Sequence, residues 1–414
     1  MMKKVLNISL VISLGIGFAA CVDSEDLPEF DSKQYISFVA PQLTFESGVG
    51  SFTRAELVDD VTKFTVWGYC IPRNLGNQEN INMAWEPWEK KAKNFRAGAD
   101  VLNEYVVNVV GDNTFYDVNN PSGTTNVLNP QKWYNGTEHA KADDYNYAFI
   151  AAATPSGNFT MSHSGVVNNS YPVLTFEMPH SSTDINTILD YNSQPDALIG
   201  TKFDQFNNSK VKLEFSHIMT GLRFRFHNEC TATETDRKDL VIHRVTFSGE
   251  FYKKATFSFE SENMRSAIVT ETKKVNGIDT EQPVTYSGTF VLLDKDQTIS
   301  AGESDLMRHD GDPKGRSVKF LLLPNPNATL EPSEHAVDDW ALGRQKQIVI
   351  EYSINGGDHH FFRTAKDFQL KYIPDVNTLH TANFHFVGDD FIITFQADND
   401  SQWNNGSDGK LEIH

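Results

Sequence analysis

From Val211 to His227 the chain alternates apolar and polar residues so regularly that only extended backbone accommodates it. Val211, Leu213 and Phe215 mark one face of a first run. His217 follows, and beyond Thr220-Gly221 a second run sets Leu222, Phe224 and Phe226 against Arg223, Arg225 and His227. A helix would scatter these side chains around its axis, whereas a strand puts every second one on the same face. The stretch predicts two strands that meet at a turn, each with one face toward a core.

The same pattern recurs in shorter pieces. Lys63 to Cys70, KFTVWGYC, places Phe64 and Val66 on one face and Thr65, Trp67 and Tyr69 on the other. Tyr145 to Ala153, YNYAFIAAA, reads as a strand ended by Pro155, and LTFEMP at Leu174 is stopped by Pro179. The region from Arg73 to Asp144 is rich in Asn, Asp and Gly, and only EYVVNVV, from Glu104 to Val110, promises a strand there. Polar Asn228 to Lys238 separates these from a second series running from Leu240 to Phe391–Ala397. The 29 Phe and 13 Tyr favour strands joined by turns. Short strands at this density, punctuated by Gly, Pro and Asn, indicate an all-β chain of sandwich type.

The N-terminus constrains location. Lys3 and Lys4 precede an apolar run, Val5 to Ala20, and small residues lead into Cys21. That is the plan of a secretory signal, too short for a good membrane span of about 20 apolar residues. Ala19-Ala20-Cys21 resembles a bacterial lipobox, with Phe18 in place of the usual aliphatic, and makes Cys21 the expected lipidated residue. An ordinary signal peptide ending beside a chance cysteine is the plainer alternative. Val22 to Glu29 carries four acids and no base and reads as a solvated tether. It also resembles the acidic tag of surface lipoproteins in Bacteroidales-type bacteria. About 390 residues then remain, enough for two domains.

Chemistry is sparse. The net charge is -19 and no Lys/Arg cluster stands out, which argues against nucleic acid as a partner. No H-E-x-x-H, G-x-S-x-G, P-loop or C-x-x-C motif occurs. The acid pairs adjoin turns, where Asp bonds its own backbone. Asp310 and Asp312 read as a turn rather than a calcium loop, and His359-His360 as a surface edge, since neighbours on a strand diverge. His217 reads as a structural histidine. No catalytic residue, cofactor or metal centre is expected. Cys70 and Cys230 are either a disulfide or two buried thiols. Trp85 and Trp88, with Trp133 and Tyr134, either form a stacking platform for a glycan or pack within an insertion.

Taken in order, several segments resemble the fimbrillin family, the lipoprotein subunits of type V pili in Bacteroidales-type bacteria. They are the lipobox at Cys21, the Arg54-Ala55 junction ahead of KFTVWGY, and YAFIAAATP. LTFEMP, PDALIG and VKLEFSHIMTGLRFRFHN complete the series. The match covers roughly residues 1 to 250 and is far looser beyond. The resemblance implies two tandem transthyretin-like β-sandwiches. The signal peptide would occupy 1–20, a tether and removable first strand 21–54, an N-terminal domain 55–236 and a C-terminal domain 237–414. It implies no enzyme, and partners of four kinds: other pilus subunits, a trypsin-like surface protease, the outer membrane through lipid, and a receptor or glycan. By position, cleavage falls between Arg54 and Ala55, and the released strand carries Ile36, Phe38, Leu43 and Phe45. The donor strand would be Phe391, Ile393 and Phe395, or the terminal Leu411 and Ile413. A monomeric surface glycan-binding lipoprotein is the alternative, and it needs no cleavage.

Overall fold

The computed structural model describes residues 35–41, 61–72, 101–117, 131–133, 145–153, 158–163, 171–207, 209–229, 238–261, 263–308, 320–325, 344–363, 377–387, 390–397, 404–405 and 409–412. Strands account for nearly all of its regular structure. The chain is all-β.

The N-terminal sheet has six strands in the order Asn113–Tyr116, Leu102–Val110, Lys63–Pro72, Tyr145–Ala153, Leu198–Gln205 and Glu214–His217, all antiparallel. Its central strand explains why YNYAFIAAA is apolar throughout. Tyr147, Phe149, Ala151 and Ala153 face one core, where they join Phe64, Val66 and Cys70. Ala148, Ile150 and Ala152 face the other, with Trp67 and Tyr69. A sheet buried on both faces has no use for polar alternation. Gly68 is required where these strands touch, because a Cβ there would lie 2.9 Å from the Phe149 ring.

The larger core lies between sheets contributed mainly by the second half. Leu240–Tyr252 is flanked by Thr285–Leu293 and Arg344–Ile354 in one sheet. Thr220–Asn228, Thr378–Val387, Asp390–Ala397 and Gly409–Glu412 lie side by side in another. Aromatic rings join the two faces: Tyr352 meets Phe386 edge-on at 5.1 Å, and Phe247 meets Phe320 at 5.1 Å. A four-stranded sheet pairs Pro172–Glu177 with Lys254–Ser258, so the two halves of the chain share strands. A separate hairpin, Thr270–Val275 with Ile278–Pro283, turns on Asn276-Gly277, both at positive φ as a tight two-residue turn requires.

The two strands read at 211–228 do form, but they enter different sheets. Glu214–His217 pairs with Leu198–Gln205. Thr220–Asn228 pairs in parallel with Thr378–Val387 over nine register positions. Ile218 and Met219, both fully buried, carry the chain from one sheet to the other. The short link does not make a hairpin, because each strand finds a longer apolar partner elsewhere.

Candidate functional site: the seat of the N-terminal segment

Residues 35–40 are held in the smaller core without joining a continuous ladder. Tyr35 bridges Lys132 antiparallel, and Phe38 bridges Val211 in parallel. The backbone bonds are few: Ile36 N–H donates to the Gln131 carbonyl at 2.8 Å, Val39 N–H to Val211 at 2.9 Å, and Val211 N–H to Ser37 at 2.7 Å. Alternation does the rest. Ile36, Phe38 and Ala40 are all buried, and Ile36 is wholly enclosed. The Phe38 ring sits edge-on to Phe64 at 5.5 Å, Phe149 at 5.8 Å and Tyr116 at 6.3 Å. Full burial of such a side chain stabilises by roughly 1.5–3 kcal/mol.

Two hydroxyls from one strand grip the segment's backbone. Tyr116 Oη donates to the Ile36 carbonyl at 3.0 Å, and Thr114 Oγ1 donates to the Phe38 carbonyl at 2.8 Å. Burial, reinforced by the neighbouring Tyr105, pushes the Tyr116 phenol far above its ordinary pKa, so it remains a donor at any physiological pH. The seat is therefore an apolar slot with hydrogen-bonding groups at fixed points. It suits an extended chain that presents alternate apolar side chains and free carbonyls.

Of the released-strand residues expected from the sequence, Ile36 and Phe38 occupy this slot. Leu43 and Phe45 lie outside the described residues, as do Cys21, Arg54, Ala55, Trp85, Trp88, Cys230, Asp310 and Asp312. Cys70 is buried in the same core as Phe38. Trp133 is 4% exposed and packs on Tyr147 at 4.7 Å, so it is a core residue and not part of a sugar platform. The two donor candidates differ in position. Phe391, Ile393 and Phe395 belong to Asp390–Ala397, which is paired on both sides. Leu411 lies on Gly409–Glu412, which is paired on one side in its sheet, and Ile413 falls outside the described residues.

Histidines are placed as structural groups or in clusters. His217 is buried, with Nδ1 2.6 Å from Asp196. His359 is bonded to Glu351 and stacks on His243, whereas His360 stacks on Tyr352. Sequence reading missed a third group, His227, Glu229 and His385, whose ligand-capable atoms all lie within 4.8 Å of one another. The signal for half of it was present, since His227 and Glu229 are two positions apart in the sequence. The parallel register that brings His385 beside His227 was not.

Comparison with known proteins finds no matching family model and no matching curated protein. Solved structures do show similarity. A fimbrial protein from Bacteroides vulgatus is 13% identical, with a TM-score of 0.42, over 84% of this chain and 92% of its own. A candidate cell adhesion protein from Bacteroides uniformis is 11% identical, with a TM-score of 0.38, over 90% and 99%. A fimbrial assembly protein from Parabacteroides distasonis is 9% identical, with a TM-score of 0.30, over 84% and 90%. Likenesses at this level carry no argument about activity. The structural neighbours of the chain are Bacteroidales fimbrial and cell-adhesion proteins, the class its sequence motifs resemble.

Proposed function

We propose that this protein is a subunit of a cell-surface fimbria, assembled by exchange of the strand seated at residues 35–40. The observation that carries the reading is the mode of attachment just described. Among the described residues, three buried apolar side chains, a few backbone bonds and two hydroxyl donors hold the segment, where an integral strand would share a full ladder. Such a segment can leave without unravelling the sheet behind it.

Its departure would uncover Phe64, Tyr116 and Phe149 and strand the Tyr116 donor in an apolar slot. An exposed slot with unpaired backbone groups is an acceptor for a strand from another chain. Addition of that kind runs head to tail and does not close, so it yields a filament. The terminal strand Gly409–Glu412 is the better donor, because its release breaks one ladder where release of Asp390–Ala397 breaks two. In this reading the precursor is exported as a lipoprotein anchored through Cys21 to the outer membrane. A trypsin-like protease cuts between Arg54 and Ala55, and the polymer supports adhesion to a receptor or glycan. The chain's role is structural, with no reaction to perform.

The test is N-terminal sequencing and mass of the protein taken from the cell surface, with and without trypsin-like protease. A mature chain beginning at Ala55, together with a ladder of SDS-resistant multimers, is expected. A chain that still begins at Cys21 and stays monomeric in the presence of protease overturns the reading.

A further inference from the structure

We infer that His227, Glu229 and His385 form a binding site for a divalent transition-metal ion of the zinc type, set across the parallel junction of Thr220–Asn228 and Thr378–Val387. The register places His227 directly beside His385, and their rings lie parallel, 4.3 Å apart with an 8° tilt. Glu229, one residue past the end of that strand, brings its carboxylate to 2.7 Å from His385 Nδ1. Two imidazoles and a carboxylate are a ligand set that zinc-type ions accept, and three protein ligands leave a fourth position for water.

The surroundings fix which atoms are available. Asn383 Oδ1 can only accept, so at 3.0 Å it takes a hydrogen bond from His227 Nε2–H, which keeps the proton on Nε2 and the lone pair on Nδ1. A carbonyl oxygen holding the second ring nitrogen is the usual support of a metal-binding histidine. Arg225, two positions before His227, opposes a cation there, and the Glu229 carboxylate offsets it. The ligand atoms must close from within 4.8 Å to the roughly 3.5 Å that two zinc bonds of about 2.1 Å span. Because the stacked rings hold their in-plane lone pairs in parallel planes, the His385 ring must also turn about its Cβ–Cγ bond to meet the ion, and the exposed Glu229 carboxylate moves with it.

The other stacked pair is a built-in contrast. His243 and His359 lie 4.2 Å apart with the same 8° tilt. However, His243 has both ring nitrogens engaged, by Asp296 at 2.7 Å and Ser353 at 2.9 Å. Stacking alone does not make a site.

The test is calorimetric titration of the full, EDTA-stripped chain with Zn²⁺, repeated with Co²⁺ followed by visible absorption. One ion per chain and a rise in melting temperature with added metal are expected, with no thiolate charge-transfer band in the cobalt spectrum. His385→Ala should abolish binding, and Glu229→Gln, at an exposed position that the fold does not depend on, should weaken it tenfold or more. His359→Ala should leave it unchanged. Absence of binding by the unaltered chain overturns the inference, as does binding that Glu229→Gln leaves intact, binding lost with His359→Ala, or a thiolate band.

Discussion

The phenolic oxygen of Tyr116 donates to the carbonyl of Ile36 across 3.0 Å and 80 positions of sequence. With the Thr114 bond to the Phe38 carbonyl, it ties the strand at the sheet's edge to a segment whose two backbone bridges, to Lys132 and Val211, fall outside the sheet's strands. Tyr116→Phe keeps the ring and removes the donor. It should cost about 1 kcal/mol of stability, the usual net value of a buried hydrogen bond. Urea unfolding measures that cost. Limited proteolysis should also show residues 35–40 released faster, with the rest of the core protected as before.

Phe38 contributes packing rather than hydrogen bonds. Its ring contacts three aromatic rings, so Phe38→Ala leaves a cavity that rigid neighbours cannot fill. A loss of about 3–5 kcal/mol is expected from the unfolding midpoint. If residues 35–40 are removed by processing, the same substitution should leave the stability of the processed form unchanged.

Gly288 faces the short parallel strand Ile188–Leu189, where a Cβ would lie 2.3 Å from Leu189 Cδ1 and 3.0 Å from the Thr187 carbonyl. The leucine can turn away, but the backbone oxygen cannot. Gly288→Ala should destabilise by about 1–3 kcal/mol, as overpacking does. Differential scanning calorimetry of the variant would register it as a lower melting temperature.

Two pH windows should separate. Burial lowers the pKa of His180, and Asp190 opposes the shift only in part. Burial also lowers His227 despite its hydrogen bond to Asn383. In the unfolded chain both titrate near 6.5. Their contribution is complete above that pH and is lost as pH falls through the lower folded values. Glu177 is lowered chiefly by its hydrogen bond from Lys253, so its contribution disappears only below about 4.5. Denaturant midpoints measured from pH 7.5 to 3.5 should fall in two steps, and His180→Gln should flatten the first.

How far the sequence could be read depends on what alternation encodes. It specifies faces, and so Tyr145–Ala153, Lys63–Pro72 and the apolar side of Thr220–Asn228 were legible. It says nothing of partners. That Thr220–Asn228 would lie parallel to Thr378–Val387 follows from the fit of two distant apolar faces, Phe224 on Phe384 among them. The candidate site divides the same way. Ile36 and Phe38 could be read as one apolar face, but Val211, Gln131 and Tyr116 as their hydrogen-bond partners could not. Trp133 misled, because an aromatic in a polar stretch looks exposed until the core that encloses it is known.

The parallel pairing of Thr220–Asn228 also sets an order of events. His227 and Asn383 sit 156 positions apart, so the strand is finished long before its partner exists on the ribosome. Until then its earlier partners are the short strands Ser304–Leu306 and Phe320–Leu322, and the edge that Thr378–Val387 will cover stays open. Loop closure over such a span is slow, and topologies rich in distant pairings fold slowly. The sheet built on Thr220–Asn228 is therefore the last to be completed, when nearly the whole chain is present, while local pairings such as Thr270–Val275 with Ile278–Pro283 need no such wait.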